Sequence, residues 1–371
     1  MTKIPVGVLG ATGMVGQQYI ALLADHPWFE LRYVAASPRS AGKRYAEAVA
    51  GRWNATVKNI PSPAELGVWG LVVEDANDLG RARAAVQRGD LAFVFSAVEL
   101  GKDETRALEA AYAAAGIPVV SNNSAHRWTP DVPMLIAEVN PGHTDIIPIQ
   151  QKNRGWDRGF IVVKPNCSIQ SYMTPVWALI QAGYGVRRLV VTTMQAVSGA
   201  GYPGVPSLDI IDNIVPYIGG EEEKSEEEPL KILGSIAGGR IEAAREPVIS
   251  VHCNRVPVSD GHTACVSLEF GGRKPSLDEI KSIWSGFSAL PQELGLPMAP
   301  ERPIIIREEA DRPQPRKDRD ADKAMAVTLG RVRPCKVFDI RFTALSHNTV
   351  RGAAGGGILN AELLKAKGYL G

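Results

Sequence analysis

Three side chains far apart in the chain could together do carbonyl chemistry. Cys167 stands in Lys164-Pro-Asn166-Cys167-Ser168, between the strand-like run Phe160–Val163 and a helical stretch reaching Gln181. A thiol at such a junction faces helix N-terminal amides, which favour the thiolate and could hold an oxyanion on an attached carbonyl. An inert buried cysteine is the competing reading. His262, in Arg255-Val-Pro-Val-Ser-Asp260-Gly-His262, has the side chain of a general acid or base near neutral pH. Arg255 offers a planar fork for a carboxylate or phosphate. A lone His or Arg is usually structural, so these two count only in combination with Cys167 and a cofactor domain. Cys253, Cys265 and Cys335 lie in strand-like runs and are expected in the core.

The elements that must position these groups begin at a glycine turn. Ile4–Leu9 reads as a short buried strand, Gly10-Ala-Thr12-Gly13-Met14-Val15-Gly16 as a turn, and Gln17–Leu23 as a helix. That succession is the context of a dinucleotide fingerprint, whose backbone approaches a pyrophosphate at a helix N-terminus. The spacing is GxxGxxG, a relative of GxGxxG. After a second strand, Leu31–Ala36, the chain reads Ser37-Pro-Arg39-Ser40, where an NAD site would carry Asp or Glu for the ribose hydroxyl. An arginine and two hydroxyls without a carboxylate suit a 2′-phosphate, which predicts NADP(H).

Strand-like runs at Leu71–Val73, Leu91–Phe95, Ile117–Val120 and Met134–Ile136, with a helical stretch Glu104–Ala115, alternate as a doubly wound parallel sheet requires. This domain is expected over residues 1–150, ending near the polar segment Gln151–Arg158. Runs at Leu189–Thr193, Val248–Cys253, Thr263–Phe270, Met325–Arg333 and Val337–Ala344 then belong to a second domain over 151–345. A second glycine cluster, Thr193-Met-Gln195-Ala-Val-Ser198-Gly199-Ala-Gly201-Tyr-Pro-Gly204, permits close backbone approach to a ligand. The acidic run Glu221–Glu228 is expected to be mostly a solvated first turn of a helix, with at most one or two carboxylates facing inward. The charged, Pro-rich segment Arg307–Asp322 reads as a linker or an ordered loop.

Composition bounds what such a protein can be. At 371 residues the chain suggests two or three domains. Lys+Arg 41 against Asp+Glu 40 leaves +1, which argues against a nucleic-acid groove or membrane-seeking face as the main business. No run approaches the roughly 20 apolar residues a bilayer needs, and the N-terminus lacks a signal-peptide layout. Four cysteines without metal-ligand spacing suit a reducing cytoplasm and predict no metal site.

Several segments together resemble the aspartate-β-semialdehyde dehydrogenases, in their archaeal and fungal branch. They are Gly10–Gln17, Pro165–Ser168, Thr193–Gly204 with Ser207–Tyr217, Gly220–Lys224, Arg255–His262, Arg312-Pro-Gln-Pro-Arg-Lys-Asp-Arg-Asp320 and His347-Asn-Thr-Val-Arg-Gly-Ala-Ala-Gly-Gly356. They cover the whole chain in the family's order. The resemblance implies a Rossmann-type doubly wound parallel sheet plus an α+β catalytic and dimerisation domain, with a C-terminal helix within 346–371 completing the first. It implies Cys167 as the nucleophile of a thioacyl intermediate, His262 as acid/base, and Gln195 as the residue orienting the acyl group. Arg255 corresponds to the clamp on the substrate α-carboxylate. Glu221 and Lys224 correspond to a pair at the amino group and phosphate, with the choice among Glu221, Glu222 and Glu223 open. Arg127 corresponds to a phosphate-binding arginine, although residues 123 to 126 depart from the family's pattern. Ser198, Gly199 and Asn348 flank the nicotinamide, and 307–322 approaches a partner subunit in a homodimer or homotetramer. The implied reaction converts aspartyl phosphate and NADPH to aspartate semialdehyde and phosphate, on the route to lysine, threonine and methionine. A malonyl-CoA reductase keeps the same Cys, His and NADPH machinery and is the nearest alternative. N-acetyl-glutamyl-phosphate reductase shares the reaction logic, but Thr193–Tyr217 argues against it. A catalytically silent NADPH-binding protein would have lost Cys167 or His262, and both are present.

Overall fold

The computed structural model describes residues 2–55 and 70–371. In its first sheet β1 Ile4–Leu9, β2 Phe29–Ala36, β3 Glu74–Asp75, β4 Phe93–Ser96, β5 Val119–Ser121 and β6 Ile161–Val163 pair in the order β3-β2-β1-β4-β5-β6. Every pairing is parallel. β4, β5 and β6 are buried at every residue, as strands covered on both faces must be. Strand order reverses between β1 and β4, which opens the crevice where such sheets take ligands. The glycine turn lies there and leads into α1 Met14–Leu23. Gly10 has φ +76°, and a Cβ on it would sit 2.2 Å from the Ala97 carbonyl oxygen beyond β4. The two strand ends approach this closely because residue 10 has no side chain.

The second sheet contains β7 Val186–Gln195, β10 Val248–Arg255, β11 His262–Phe270, β12 Ile304–Arg307, β13 Val327–Pro334 and β14 Ile340–Ser346, ordered β10-β7-β11-β14-β13-β12. A separate hairpin joins β8 Ser235–Ala237 to β9 Arg240–Glu242. Alternation sets the buried face: in β10, Ile249, Val251, Cys253 and Arg255 are buried, whereas Val248, Ser250 and His252 are exposed. That face packs on α2 Met173–Gln181 and on α4 Leu277–Ser285. Trp284 meets Phe342 edge-on with centroids 5.0 Å apart, and its indole donates to Pro175 O at 2.9 Å. Between them in sequence, α3 Glu221–Ile232 crosses the free edge of β10. Glu222 and Glu226, one turn apart, accept from Cys253 N and Val251 N, each at 3.0 Å, and satisfy edge N–H groups that would otherwise template another strand. The last helix, α5 Gly355–Ala366, returns to the first sheet and packs on α1. Its buried Glu362 accepts from His26 at 2.7 Å and from Met298 N at 3.0 Å. No helix among the described residues is long and apolar enough to cross a membrane.

The architecture is therefore α/β, a doubly wound parallel sheet joined to an α+β domain, with several local departures from expectation. The strand expected at Leu71–Val73 lies at Glu74–Asp75, and Val72 makes only an isolated bridge to Arg44. Met134–Ile136 contributes only a bridge from Met134 to Val163, because Asn140 Oδ1 accepts the Ile136 N–H at 2.9 Å and turns the chain. The first sheet does not end near residue 150: Ile161–Val163 pairs with Val119–Ser121 as its sixth strand. Cys253 is buried, but Cys265 is exposed and Cys335 half-buried. Cys265 falls on the outward side of β11 between inward Ala264 and Val266, and Cys335 lies in the turn after β13. The acidic run is not mostly solvated either. Only Glu223 and Glu227 are exposed. The segment 307–322 is ordered around Asp318, which accepts from Arg307, Arg312 and Gln314 N.

Candidate active site

Strand register brings the predicted groups to one end of the second sheet. β7 and β10 run parallel with Gln195 opposite Arg255. β11 runs antiparallel to β7 and starts at that same end with His262, opposite Ser346 of β14. From the first sheet, β6 delivers residues 164–168 to this point. Cys167 Sγ and His262 Nε2 come within 3.4 Å.

His262 is fully buried, and its Nδ1 accepts the Ala196 N–H at 3.1 Å. A backbone N–H can only donate, so in the neutral ring the hydrogen sits on Nε2, facing the thiol. Burial, then Arg255 and His347, push the ring pKa down to about 3. The imidazole stays neutral at physiological pH. Burial, then Glu221, push the Cys167 thiol up to about 11, opposed by Lys164, Arg127 and Arg255. These cations govern how readily thiolate forms.

The Cys167 loop is tied to α3. Asn166 Nδ2 donates to both Glu221 oxygens, at 2.8 and 2.9 Å, and Asn166 N donates to Glu228 Oε2 at 2.7 Å. Asn166 Oδ1 accepts from Ser168 N at 2.8 Å and Ser168 Oγ at 2.7 Å. Glu221 also accepts from Lys224 Nζ at 2.8 Å and Gln195 Nε2 at 3.4 Å. Burial raises its carboxyl pKa, but Lys224 and the amide donors outweigh that and hold Glu221 below the usual range. With Glu222 turned to β10 and Glu223 exposed, Glu221 is the inward carboxylate of the three.

Arg255 is buried and donates to Ala196 O at 2.8 Å. It makes no ion pair among the described residues, which leaves most of its fork without an anionic partner. A Cβ on Gly199 would lie 2.7 Å from Arg255 Nη1 and 3.2 Å from His262 Nε2, so glycine alone lets this loop turn over both. Asn348 fixes the loop by donating to Ser198 Oγ at 2.9 Å and accepting from Gly261 N at 2.8 Å. Arg127 is engaged on three sides, by Glu228 at 2.8 Å, Lys164 O at 3.0 Å and Asn122 O at 3.2 Å. Its reach toward any ligand is confined to its remaining N–H groups.

At the other sheet, Gly10, Thr12, Gly13, Met14, Val15 and Gly16 form the turn and the first residues of α1. Gly13 starts that helix with no side-chain cap and no acidic residue in the first turn, so its N-terminal amides are open to an anion. Ser37 and Arg39 are exposed beyond β2, and Ser40 is buried.

Sequence reasoning overlooks Glu228, Asn166 and Lys164 as site-building groups. Helical spacing signals the first of these, because Glu221, Ser225 and Glu228 share the buried stripe of α3. Nothing local marks the other two.

Comparison with known proteins identifies the family. The profile described as "Semialdehyde dehydrogenase, NAD binding domain" matches residues 5–147, and "Semialdehyde dehydrogenase, dimerisation domain" matches 176–351. The aspartate-semialdehyde dehydrogenase of Archaeoglobus fulgidus is 48% identical over 98% of this chain and 98% of its own. That of Aspergillus fumigatus is 46% identical over 99% of each. The crystal structure of the Candida albicans enzyme with NADP superposes with a TM-score of 0.87 at 39% identity, covering 99% of this chain and all of that one. Similarity at this level covers both domains, and it places the chain in the aspartate-semialdehyde dehydrogenase family.

Proposed function

We propose that the protein interconverts L-aspartyl 4-phosphate and L-aspartate 4-semialdehyde, using NADP(H) and releasing or consuming inorganic phosphate, through an acyl group carried on Cys167. This would serve aspartate-family amino-acid biosynthesis toward lysine, threonine and methionine. The observation that carries the reading is Arg255, a buried guanidinium that forms no ion pair among the described residues, beside a cysteine and histidine 3.4 Å apart. Such a fork calls for an anionic group on the substrate.

NADP(H) fits the first sheet, with the uncapped start of α1 for its pyrophosphate and Ser37, Arg39 and Ser40 for its 2′-phosphate. Ser198, Gly199 and Asn348 would flank its nicotinamide. When bound, it supplies or accepts the hydride. In the oxidative direction the Cys167 thiolate adds to the aldehyde carbon, and the carbonyl electron pair becomes an alkoxide that accepts a hydrogen bond from His262 Nε2–H. His262 acts here as a donor and not a base, because Nδ1 is taken by Ala196 N–H. At the thioester level a phosphate oxygen attacks the acyl carbon, and the C–S electron pair returns to Cys167 as thiolate. Arg255 holds the α-carboxylate and Glu221 the ammonium, while Lys224 and the remaining N–H groups of Arg127 face the phosphate. Gln195, held by Glu221, orients the acyl group. The dimerisation-domain match and the exposed face of the second sheet support a homodimer or homotetramer.

Purified protein should reduce NADP⁺ with aspartate semialdehyde only when phosphate is present, and Cys167→Ser should lose turnover while still binding NADPH. Oxidation of NADPH by malonyl-CoA, without the phosphate-dependent reaction, would overturn the reading in favour of a malonyl-CoA reductase. NADPH binding with neither activity would leave a silent binding protein.

A further inference from the structure

His262 is a poor source of positive charge for a thiolate, because protonating Nδ1 would set its hydrogen against the Ala196 N–H. The charge must come from another side. Lys164 is 1% exposed and lies under the nucleophile loop. Its Nζ donates to Pro165 O at 3.4 Å and to Gly352 O. Gly352 in turn packs directly on the nucleophile, since a Cβ there would fall 2.9 Å from Cys167 Cβ. A Cβ on Gly356 would fall 2.8 Å from Lys164 Cε, so glycines at both positions make the room that the lysine chain and the cysteine share. Two carbonyls accept from the ammonium, and no carboxylate forms an ion pair with it among the described residues. A buried ammonium without an anion is costly, and its placement needs a compensating partner.

We propose that Lys164 is a positioning residue that supplies the counter-charge of the Cys167 thiolate. Lys164 faces Cys167 and Glu228 as anionic neighbours and Arg127 and Arg351 as cationic ones. Cys167 faces His262 and Glu221, with Lys164, Arg127 and Arg255 around it. Burial pushes Lys164 down to about 7, and Cys167 is the neighbour that most strongly keeps it protonated. Lys164 is likewise the strongest of the cations that lower the thiol. The proposal rests on Cys167 as nucleophile.

Lys164→Met keeps an apolar chain of similar length and removes the charge. The test follows iodoacetamide alkylation of the full-length protein across pH, read on the Cys167 peptide by mass spectrometry with glutathione in the same tube as reference thiol. The expected result is Cys167 alkylation about tenfold slower below about pH 7, where Lys164 is protonated, a difference that fades as pH rises through that value, and a partial return in Lys164→Arg. A profile that stays in place in a variant that still binds NADPH overturns the proposal. So does a rate changed by one factor at every pH, which marks altered access and not altered charge. If Lys164→Met does not fold, Lys164→Gln carries the same measurement. Alkylation reads the thiol whatever its role in turnover, so this result is separable from the Cys167→Ser assay.

Discussion

Glu228→Gln keeps the shape of a side chain while removing its charge and one acceptor. Glu228 is 1% exposed at the side chain and its partner Arg127 9%. One carboxylate oxygen accepts from Arg127 at 2.8 Å and the other from Asn166 N at 2.7 Å. Both partners can only donate. A glutamine amide has one acceptor oxygen, so whichever way it turns, its NH₂ faces a donor. If the oxygen meets Arg127, the Asn166 N–H loses a charge-assisted bond of about 1.5–3 kcal/mol. In either orientation the buried guanidinium loses its counter-charge, a change of about 3–5 kcal/mol when a buried pair is broken. Arg127 keeps its bonds to Lys164 O and Asn122 O, which argues for the lower end. We expect a loss of about 3 kcal/mol, or more than about a hundredfold in the unfolding constant. The same change frees the residue next to Cys167, and a displacement of about 1 Å at a reacting group lowers kcat by about a hundredfold. NADPH affinity should hold, because the glycine turn belongs to the other sheet. Urea unfolding followed by tryptophan fluorescence, with steady-state kinetics on the same preparation, measures both effects. A variant within about 0.5 kcal/mol of the parent with unchanged kcat would refute the claim that α3 anchors the Cys167 loop.

Two other predictions concern the cofactor and acid. Arg39→Asp should weaken NADP(H) binding more than NAD(H) binding, and titration of both cofactors that finds no change in preference would remove Arg39 from the 2′-phosphate site. Burial foremost pushes His262 down to about 3 and His126 to about 4, whereas in the unfolded chain both titrate near about 6.5. As pH falls below that value the unfolded state binds protons that the folded state refuses, so stability present above about pH 6.5 is lost progressively toward the folded values. His126→Gln should flatten the fall in urea midpoint between about pH 6.5 and 4.5 and leave its slope near pH 8 unaltered. An unchanged acid slope would count against burial of a neutral ring at 126.

How far the fold and site could be read in advance follows from the range over which each part is determined. The cofactor turn is local: strand, glycines and helix are contiguous, and the order β3-β2-β1-β4-β5-β6 follows from βαβ units that the chain builds one after another. The end of the second sheet that carries the candidate site is set by register. Nothing near Gln195 announces that Arg255 will lie opposite it; the parallel pairing of β7 with β10 does that, and the antiparallel start of β11 adds His262. Cys265 shows how narrow the margin is, because a strand's parity sends one residue inward and the next to solvent. The acidic run misleads for a related reason. Charge density suggests solvent, yet one set of α3 carboxylates satisfies the edge of β10 while another holds the Cys167 loop. Lys164 is the extreme case, since a lysine is seldom fully buried. Its burial follows from two long-range events: β6 closing the first sheet at Val163, and the chain returning through Gly352 to cover what β6 presents. Charged side chains are legible in a sequence when their partners are near. Where the partner is a carbonyl brought from another sheet, the fold has to be known before the charge can be assigned a purpose.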